Sequence, residues 1–404
     1  MKYDNKKEGD NTLRYTPKSE LNNRVDKLQK LLQKKDIDGA IIIQNADLFY
    51  FTGTVQQSHL FIPAEGKPVL LVKKSYERAR EESALEDITY LDSLKDMIAV
   101  LGNYGYGNFK TLGFELDVLP ANLYLRYQKL FTPAKIVDAS PLIRTVRTIK
   151  SDYELEIFRD AAKINAEVFS FIKDNLREGM SELKLTAIID ACSREKGYPG
   201  FIRIRGFNQD LFQTMVISGD NTDPSYFWGA VGGKGVGPAF AQGAGDKLIG
   251  RNEPVFVDYG FILDGYILDQ TRTYCIGKLP DHLTRAYGTA AEILKQMEKL
   301  ARPGVPCGKL HDLALEIAGA SPFAGHFTGY PTPLAFVGHG VGIELDELPV
   351  IGHGFETPLE PGMVIALEPK FTFPDGAVGI ENTYVVTQTG LETLTVYDEE
   401  IQYV

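Results

Sequence analysis

Two stretches of the chain share one pattern, and this internal repeat limits the fold more than any other feature of the sequence. Residues 255–277 read VFVDYGFILDGYILDQTRTYCIG, and residues 363–390 read MVIALEPKFTFPDGAVGIENTYVVTQTG. Each has a carboxylate in an apolar run, a central Asp-Gly pair, and an acidic residue followed two positions later by threonine. Apolar runs joined by Asp-Gly are typical of β-hairpins. Residues 177–192 and 302–319 also resemble each other, so the repeat predicts two similar halves that face one another.

The first segment predicts a hairpin that brings two aspartates to one face. Asp264 and Gly265 are a strong hairpin-turn signal, and we expect them to form a two-residue loop. Asp258 then lies opposite Thr271 on the neighbouring strand. Asp269 is the diagonal neighbour of Asp258, so both carboxylates project from the same face of the sheet.

The second segment predicts the same arrangement with glutamates. If Asp375 and Gly376 form the loop, Glu368 lies opposite Thr383 on the neighbouring strand. Glu381 is then the diagonal neighbour of Glu368 on the same face. Because the two halves are expected to face one another, the sequence predicts four carboxylates at a shared centre, two from each hairpin.

The charge of such a carboxylate cluster has to be balanced. Four neighbouring anions repel one another and lose their hydration when they are buried. We therefore expect a pair of divalent metal ions, because carboxylates with one imidazole suit Mn, Zn, Co or Fe and hold two ions about 3.5–4 Å apart. His339, in VGHGVG, is the candidate imidazole, since a glycine on each side permits close backbone approach. The alternative, ordinary surface hairpins, fits poorly with strands as apolar as PVFVDYG and VIALEP.

The first part of the chain reads as a separate α/β domain. An amphipathic helix, SELNNRVDKLQKLLQKK, precedes strand-like runs such as GAIIIQ and KTLGFEL. A long helix then begins near Ser151, the expected N-cap, and Glu154 completes a capping box with it. We place the domain boundary between these patterns, which assigns residues 1–148 to the first domain and residues 149–404 to the second.

Composition and charge exclude several classes of protein. Of the 404 residues, 44% are hydrophobic and 24% are charged, the balance of a globular protein with a sizeable core. The net charge of −11, without a basic block, argues against nucleic-acid and membrane partners. The polar N-terminus lacks the apolar region of a signal peptide. Three widely spaced cysteines, Cys192, Cys275 and Cys307, fit a reducing compartment, so we expect a cytoplasmic protein.

Several motifs together resemble the pita-bread metallopeptidases, a family that includes aminopeptidase P, prolidase, methionine aminopeptidase and the non-peptidase creatinase. The resemblance rests on VDYGFILDGYILDQTRT, GHGVGIELDE, LEPGMVIALEPKF and IENTYVVTQTG. It extends over essentially the whole chain and includes NADLFYFTG in the first domain. The residues that match the family's metal ligands are Asp258, Asp269, His339, Glu368 and Glu381.

The resemblance implies a fold and an activity. The fold is a creatinase-like α/β N-terminal domain followed by a pseudo-symmetric α+β pita-bread catalytic domain. The activity is hydrolysis of a peptide or amide bond, of the Xaa-Pro aminopeptidase or dipeptidase kind, by a hydroxide that bridges two divalent metal ions, with Mn as the first candidate. Glu368 is the expected proton shuttle. The family is usually homodimeric, and residues 54–59 are expected to approach the second subunit's site; the alternative is a simple surface loop.

The chain departs from the family pattern around the expected metal ligands. Asp346 stands seven residues after His339, where the peptidases usually have a histidine. A glycine, Gly379, replaces a common arginine, and Lys370 replaces the usual glycine after Glu-Pro. Residues 60–281 contain no histidine, although the family usually has one before the first ligand aspartate. The ligands are thus retained, while the groups that would bind a substrate carbonyl are changed.

These departures leave three functions open. The first is peptide or amide hydrolysis, slowed by the missing donors. The second is another reaction on the same scaffold, such as creatinase-like C–N hydrolysis or the chemistry of dimethylsulfoniopropionate lyases, in which Asp346 acts as a catalytic base or holds a cationic substrate group. Asp346 can equally be a solvated carboxylate in a turn. The third is a metal-free binding module, which retention of the ligands disfavours.

Other basic residues are candidates for binding a small peptide or small-molecule substrate. Arg203 and Arg205 would clamp a carboxylate, although a surface strand face is an equal alternative. Histidines elsewhere would replace the missing ones, including one contributed across a dimer. The candidate substrate-binding residues are His59, Arg203, Arg205, His326, His353 and Lys370.

Overall fold

The computed structural model describes residues 13–209, 211, 214–225 and 229–404. The chain divides into two compact units, Met1–Val146 and Arg147–Val404, which we call the N-terminal and C-terminal units. The boundary that the sequence suggests, after residue 148, stays a prediction, because compactness does not show which segment folds alone. Within the described residues, no helix combines the length and the apolar character needed to cross a membrane.

The N-terminal unit is built on a six-stranded mixed sheet. Its strands, β1 to β6, are Gly39–Ile42, Ser58–Pro63, Val69–Val72, Asp87–Tyr90, Thr111–Phe114 and Lys135–Asp138. The helices α1 to α6, the last of which crosses the unit boundary, are Lys18–Lys34, Asn45–Thr52, Tyr76–Glu82, Met97–Asn103, Ala121–Leu130 and Ser140–Thr148. The strand order is β4-β3-β2-β1-β5-β6, with β1–β2 and β2–β3 antiparallel and the other pairs parallel. As the apolar stripe of α1 predicts, its buried leucines are Leu21, Leu28 and Leu32.

The C-terminal unit contains two helix pairs and two larger antiparallel sheets. Its helices α7 to α10 are Asp152–Asn175, Glu182–Glu195, Asp281–Leu300 and Cys307–Ala320. Its strands β7 to β17 are Thr214–Ser218, Pro254–Leu263, Tyr266–Cys275, Phe336–Gly340, Glu347–Gly352, Val364–Leu367, Lys370–Phe373, Gly376–Gly379, Asn382–Val386, Leu391–Thr393 and Gln402–Tyr403. Among the described strands, the sheet orders are β17-β9-β8-β7, with β17 parallel to β9, and β11-β10-β12-β15-β16, with β13-β14 as a separate pair.

The first long helix of the C-terminal unit begins as predicted. The Ser151 hydroxyl accepts a hydrogen bond from the Glu154 backbone N–H at 3.3 Å. The Glu154 carboxylate accepts one from the Ser151 backbone N–H at 2.9 Å. These two bonds satisfy donors that the first turn of a helix leaves without partners, so the capping box fixes the start of α7.

The first carboxylate hairpin has the predicted register. Strands β8 and β9 pair Asp258 with Thr271, and Asp269 pairs two residues further along β8. The φ angles of Asp264 and Gly265 are +47° and +90°, the left-handed values that a type I′ loop requires. Because residues two apart on a strand share a face, the two aspartates project together, and this prediction is confirmed.

The register predicted for the second hairpin is wrong by two residues. Phe373 pairs with Gly376, so the loop consists of Pro374 and Asp375. The proline ring holds φ near −65°, which suits the first position of an ordinary turn and cannot begin a type I′ loop. Proline also has no N–H to give to the ladder, so its best place is the turn itself.

The same shift continues into the sheet, where Thr383 pairs with Ala366 rather than Glu368. Glu368 directly follows β12 and Glu381 directly precedes β15, so both glutamates stand at the ends of paired strands. The Thr271 hydroxyl on β9 donates to the Glu381 carboxylate at 2.7 Å and joins the two hairpins. The corrected register therefore still carries both glutamates to the shared centre.

Arg272 connects the first hairpin to the second and to the C-terminal segment by hydrogen bonds. Its side chain is fully buried, and each of its five N–H groups donates a hydrogen bond. Four of the bonds go to backbone carbonyls and one to a side-chain oxygen, all at 2.7–2.9 Å. The acceptors are Thr271, Glu381, Asn382, Tyr397 and Asp398.

We predict that Arg272→Met lowers the free energy of unfolding by at least about 3 kcal/mol, because buried acceptors that lose their donor each cost about 1–3 kcal/mol. Arg159→Met is the matched control, since Arg159 is 46% exposed and pairs with a surface glutamate. The control should cost about 1 kcal/mol or less. Denaturant titration measures both values, and equal losses in the two variants would contradict the role given to Arg272.

Candidate metal centre

The residues predicted as metal ligands line one cavity of the C-terminal unit. Asp258 lies on β8, Asp269 on β9 and His339 on β10, whereas Glu368 follows β12 and Glu381 precedes β15. All five of these strands belong to the two larger sheets, and each pairs with another strand of the set, so backbone pairing holds the spacing of the side chains. The structure thus brings together every side chain of the predicted ligand set.

Glycine is required on both sides of His339. A Cβ atom at Gly338 would lie 2.3 Å from the carbonyl oxygen of Ala366, and one at Gly340 would lie 2.1 Å from that of Leu348. Both distances are far below van der Waals contact. The two glycines therefore let β10 lie against β11 and β12 closely enough for the imidazole to reach the carboxylates, which is the close approach predicted from VGHGVG.

The imidazole and the carboxylates leave a small gap between their donor atoms. His339 Nε2 lies 3.8 Å from an oxygen of Asp269 and 3.7 Å from an oxygen of Glu368. One donor atom each of Asp269, His339 and Glu381 lie within 4.8 Å of one another. These separations are too long for hydrogen bonds, but they suit atoms that each lie about 2.0–2.2 Å from a shared ion.

The electrostatics of the cavity favour a bound cation. Burial and the neighbouring charges of Glu381 and Asp258 raise the pKa of Asp269 well above its ordinary value. Burial likewise raises the pKa of Asp258. The Oε1 atom of Glu381 is buried without a hydrogen-bond partner among the described residues. Two carboxylates and an imidazole with donor atoms this close together are a set that fits a divalent metal ion.

A lysine that the sequence suggested as a substrate-binding residue lies inside the carboxylate cluster. The Lys370 Nζ atom is 2.9 Å from Asp258, 2.8 Å from Glu368 and 2.9 Å from Glu381. The side chain is only 5% exposed. Burial lowers the pKa of the Lys370 ammonium, but the three carboxylates outweigh it and raise that pKa well above its ordinary value. The Lys370 ammonium therefore balances part of the charge of the cluster, a role that sequence reasoning missed.

The two departures at positions 370 and 379 are one structural feature. Lys370 and Gly379 are paired residues of the β13–β14 hairpin. A Cβ atom at Gly379 would lie 2.7 Å from Cγ of Lys370. The lysine stem occupies the space that a side chain at position 379 would need, so the lysine is compatible only with a residue as small as glycine across the ladder.

Asp346 lies beside the imidazole rather than among the carboxylates. Its Oδ1 atom is 3.3 Å from His339 Nδ1, which also lies 3.1 Å from the carbonyl oxygen of Gly340. A proton on Nδ1 therefore has two acceptors, and Nε2 is left to face the carboxylates. Carboxylates that orient a metal-binding histidine in this way are common in metal sites. The geometry favours a positioning role for Asp346 over a solvated turn residue.

The two candidate arginines lie among groups that the sequence did not connect with them. Arg205 is 3.4 Å from Glu344, which also pairs with Arg147 at 2.8 Å. The guanidinium of Arg203 lies over the ring of Phe201, 5.6 Å from its centroid. Part of the charge of Arg205 is thus neutralised within the protein. The acidic run in GIELDELP was the available signal for a buried ion cluster.

The remaining candidate histidines have local partners. In the C-terminal unit, His326 stacks on Phe373 with a centroid distance of 4.3 Å. His353 is exposed and lies 3.5 Å from Asp312. In the N-terminal unit, His59 Nε2 lies 2.7 Å from the Tyr127 hydroxyl. The assignment of these residues to substrate binding stays a prediction.

Comparison with known families matches both parts of the chain. Residues 156–388 match the model of metallopeptidase family M24, and residues 24–149 match the creatinase/prolidase N-terminal domain. The first match alone covers more than half of the chain. Together with the sheets described above, these matches confirm the predicted fold class, a creatinase-like domain followed by a pita-bread domain.

Individual relatives cover nearly the whole chain. An Xaa-Pro dipeptidase of Pyrococcus furiosus is 27% identical over 384 residues, which span 94% of this chain and 99% of the relative. The crystal structure of the prolidase from Pyrococcus horikoshii is 26% identical, covers 94% of this chain and 99% of its own, and has a TM-score of 0.79. An Xaa-Pro dipeptidase from Bacillus anthracis has a TM-score of 0.81 at 23% identity, covers 95% and 100% of the two chains, and supports the fold alone. The chain therefore belongs to metallopeptidase family M24, with the creatinase/prolidase N-terminal domain.

Proposed function

We propose that this metallopeptidase cleaves Xaa-Pro bonds in small peptides, as a dipeptidase or an aminopeptidase. The observation that carries the proposal is the convergence of four carboxylates from both hairpins and the His339 imidazole from β10 on one cavity. The similarity to an Xaa-Pro dipeptidase over 94% of the chain supports the substrate class. The family pattern predicts two metal ions, with Mn as the first candidate and Zn, Co or Fe as alternatives. Lys370 lies among the predicted ligands and therefore affects how many ions the cavity can hold.

The residues of the cavity have different roles in the proposed hydrolysis. When bound, a divalent metal ion would act as a Lewis acid, which polarises the substrate carbonyl and lowers the pKa of water. Asp269, His339 and Glu381 are the residues that would hold it. Glu368 presents one oxygen toward His339 Nε2, at 3.7 Å, and is placed to move a proton between water and the leaving amine. Asp346 orients the imidazole.

A second candidate function uses the same site on a different substrate. Asp346 lines the cavity, and its side chain is 33% exposed. An ionised carboxylate can only accept hydrogen bonds, so it does not replace a histidine that donates to a carbonyl. It does suit a cationic substrate group, as in creatinase-like C–N hydrolysis or lyase chemistry. A panel of peptides, amidines and betaines distinguishes the two functions.

We predict that chelator-treated protein loses hydrolysis of Xaa-Pro dipeptides and of longer Xaa-Pro peptides, and that Mn restores it. Glu368→Gln should lower kcat by a factor of about 10²–10⁴, because a carboxamide cannot carry the proton. Glu356→Gln is the matched control, since Glu356 is exposed. Turnover of betaines or amidines without any peptide cleavage would instead establish the second candidate.

We further propose that the chain forms a homodimer, with residues 54–59 of one protomer near the other protomer's site. Two features support a contact at this loop. Val55 is an apolar residue with 40% of its surface exposed, and the Nδ1 atom of His59 is buried without a hydrogen-bond partner among the described residues. Light scattering at micromolar concentration should give twice the mass of 44.8 kDa. The mass of a single chain would refute the proposal.

We also propose a cytoplasmic location. All three cysteines are free, and Cys275 and Cys307 are buried. Burial raises the pKa of the Cys275 thiol to about 11 and that of the Cys307 thiol to about 12, so neither is an activated nucleophile. Unpaired, unreactive thiols fit a reducing compartment.

A further inference from the structure

We propose that the Lys370 ammonium takes the place of one of the two metal ions, so that each chain binds a single divalent ion at Asp269, His339 and Glu381. This inference rests on the proposed function, because it concerns the same cavity. It deepens that function by defining a hybrid centre with one metal ion and one built-in organic cation. Its tests measure metal content and stability, so it stands or falls separately from the choice of substrate.

The Lys370 ammonium occupies the space between three carboxylates. Lys370 Nζ lies 2.8–2.9 Å from one oxygen each of Asp258, Glu368 and Glu381, the normal length of a charged hydrogen bond. These carboxylates come from both hairpins. A metal ion bound to the same three oxygens at about 2.0–2.2 Å would overlap Nζ, so the ion and the ammonium exclude each other.

The two oxygens of each glutamate have different surroundings. Glu368 directs Oε2 to the ammonium and has Oε1 3.7 Å from His339 Nε2. Glu381 directs Oε2 to the ammonium and leaves Oε1 without a hydrogen-bond partner among the described residues. Each glutamate therefore presents one oxygen to the lysine and the other to the remaining ion position.

The surrounding structure holds Lys370 in place. Its backbone is held in the β13–β14 ladder opposite Gly379. Its Nζ lies 5.7 Å from the centroid of the Phe256 ring, close enough for a cation–π contact. Any side chain at Gly379 would collide with the lysine stem, since even a Cβ atom comes within 2.7 Å of Cγ. The cation and the space that admits it are thus specified by two paired positions.

Metal analysis of the dialysed, Mn-loaded protein tests the inference directly. We expect one Mn ion per chain in the wild type and two in Lys370→Gly, which frees three carboxylate oxygens. Lys278→Gly is the matched control, because Lys278 is an exposed lysine, and it should keep one ion. Electron paramagnetic resonance should show an isolated Mn ion in the wild type and a coupled pair in Lys370→Gly.

Several outcomes would overturn the inference. Two ions per wild-type chain would show that the ammonium is displaced, and this measurement decides the matter even if Lys370→Gly fails to fold. One ion in both the wild type and a folded Lys370→Gly would show that the lysine does not exclude a metal. Xaa-Pro hydrolysis by a two-ion wild type would leave the proposed function intact, whereas a one-ion protein that cleaves no peptide would refute only that function.

Coupling between the paired positions gives an independent test. In the presence of a chelator, Gly379→Ala should lower the Tm by about 2–10 °C, because it overpacks the lysine stem. The decrease in Tm should be smaller when Gly379→Ala is introduced into the Lys370→Gly variant. Gly288→Ala, on helix α9 with open space around it, is the control and should not lower the Tm. Equal decreases in Tm in both backgrounds would show that Gly379 is not needed to accommodate the lysine stem.

Discussion

The concentration of negative charge between the two hairpins is the constraint on which the rest of the C-terminal unit depends. Asp258, Asp269, Glu368 and Glu381 come from both halves of the unit and line one cavity. Bringing them together costs hydration and adds mutual repulsion, so the fold is stable only if cations accompany them. The neighbouring structure can be understood as the means of supplying and fixing those cations.

Two buried cationic side chains contribute to this centre in different ways. Arg272 lies behind the hairpins and gives all five donors to backbone and amide oxygens, so it fixes the frame without neutralising a carboxylate. Lys370 lies inside the cluster and pairs with three carboxylates directly. Rigidity and charge balance are therefore provided by separate residues. A change in the charge balance of the centre need not disturb the frame that positions it.

The sequence predicted what depends on local backbone chemistry and missed what depends on side chains reaching across elements. The register of the first hairpin followed from Asp264 and Gly265, because a type I′ loop leaves no freedom in the pairing. The second hairpin has the same Asp-Gly signal, but Pro374 moved the loop by one residue, to Pro374 and Asp375, and this shifted the strand pairing by two residues. The glycines around His339 were predictable from the close approach that they permit. The position of the Lys370 ammonium was not, since a long flexible side chain has many possible partners until the tertiary fold selects among them.

The paired changes at 370 and 379 also bear on how such a centre arises within its family. A Cβ atom at position 379 would lie 2.7 Å from the Lys370 Cγ atom and 3.0 Å from the Lys370 Cα atom, so a lysine at position 370 needs a glycine across the ladder. The lysine therefore depends on the glycine that faces it. Because each glutamate has two oxygens, an ammonium can bind one of them and leave the other available to a metal ion, as Glu368 does with Oε2 toward Lys370 and Oε1 toward His339. A chain can thus keep every ligand residue while two paired residues of the β13–β14 hairpin, Lys370 and Gly379, change the number of metal ions that the ligands hold.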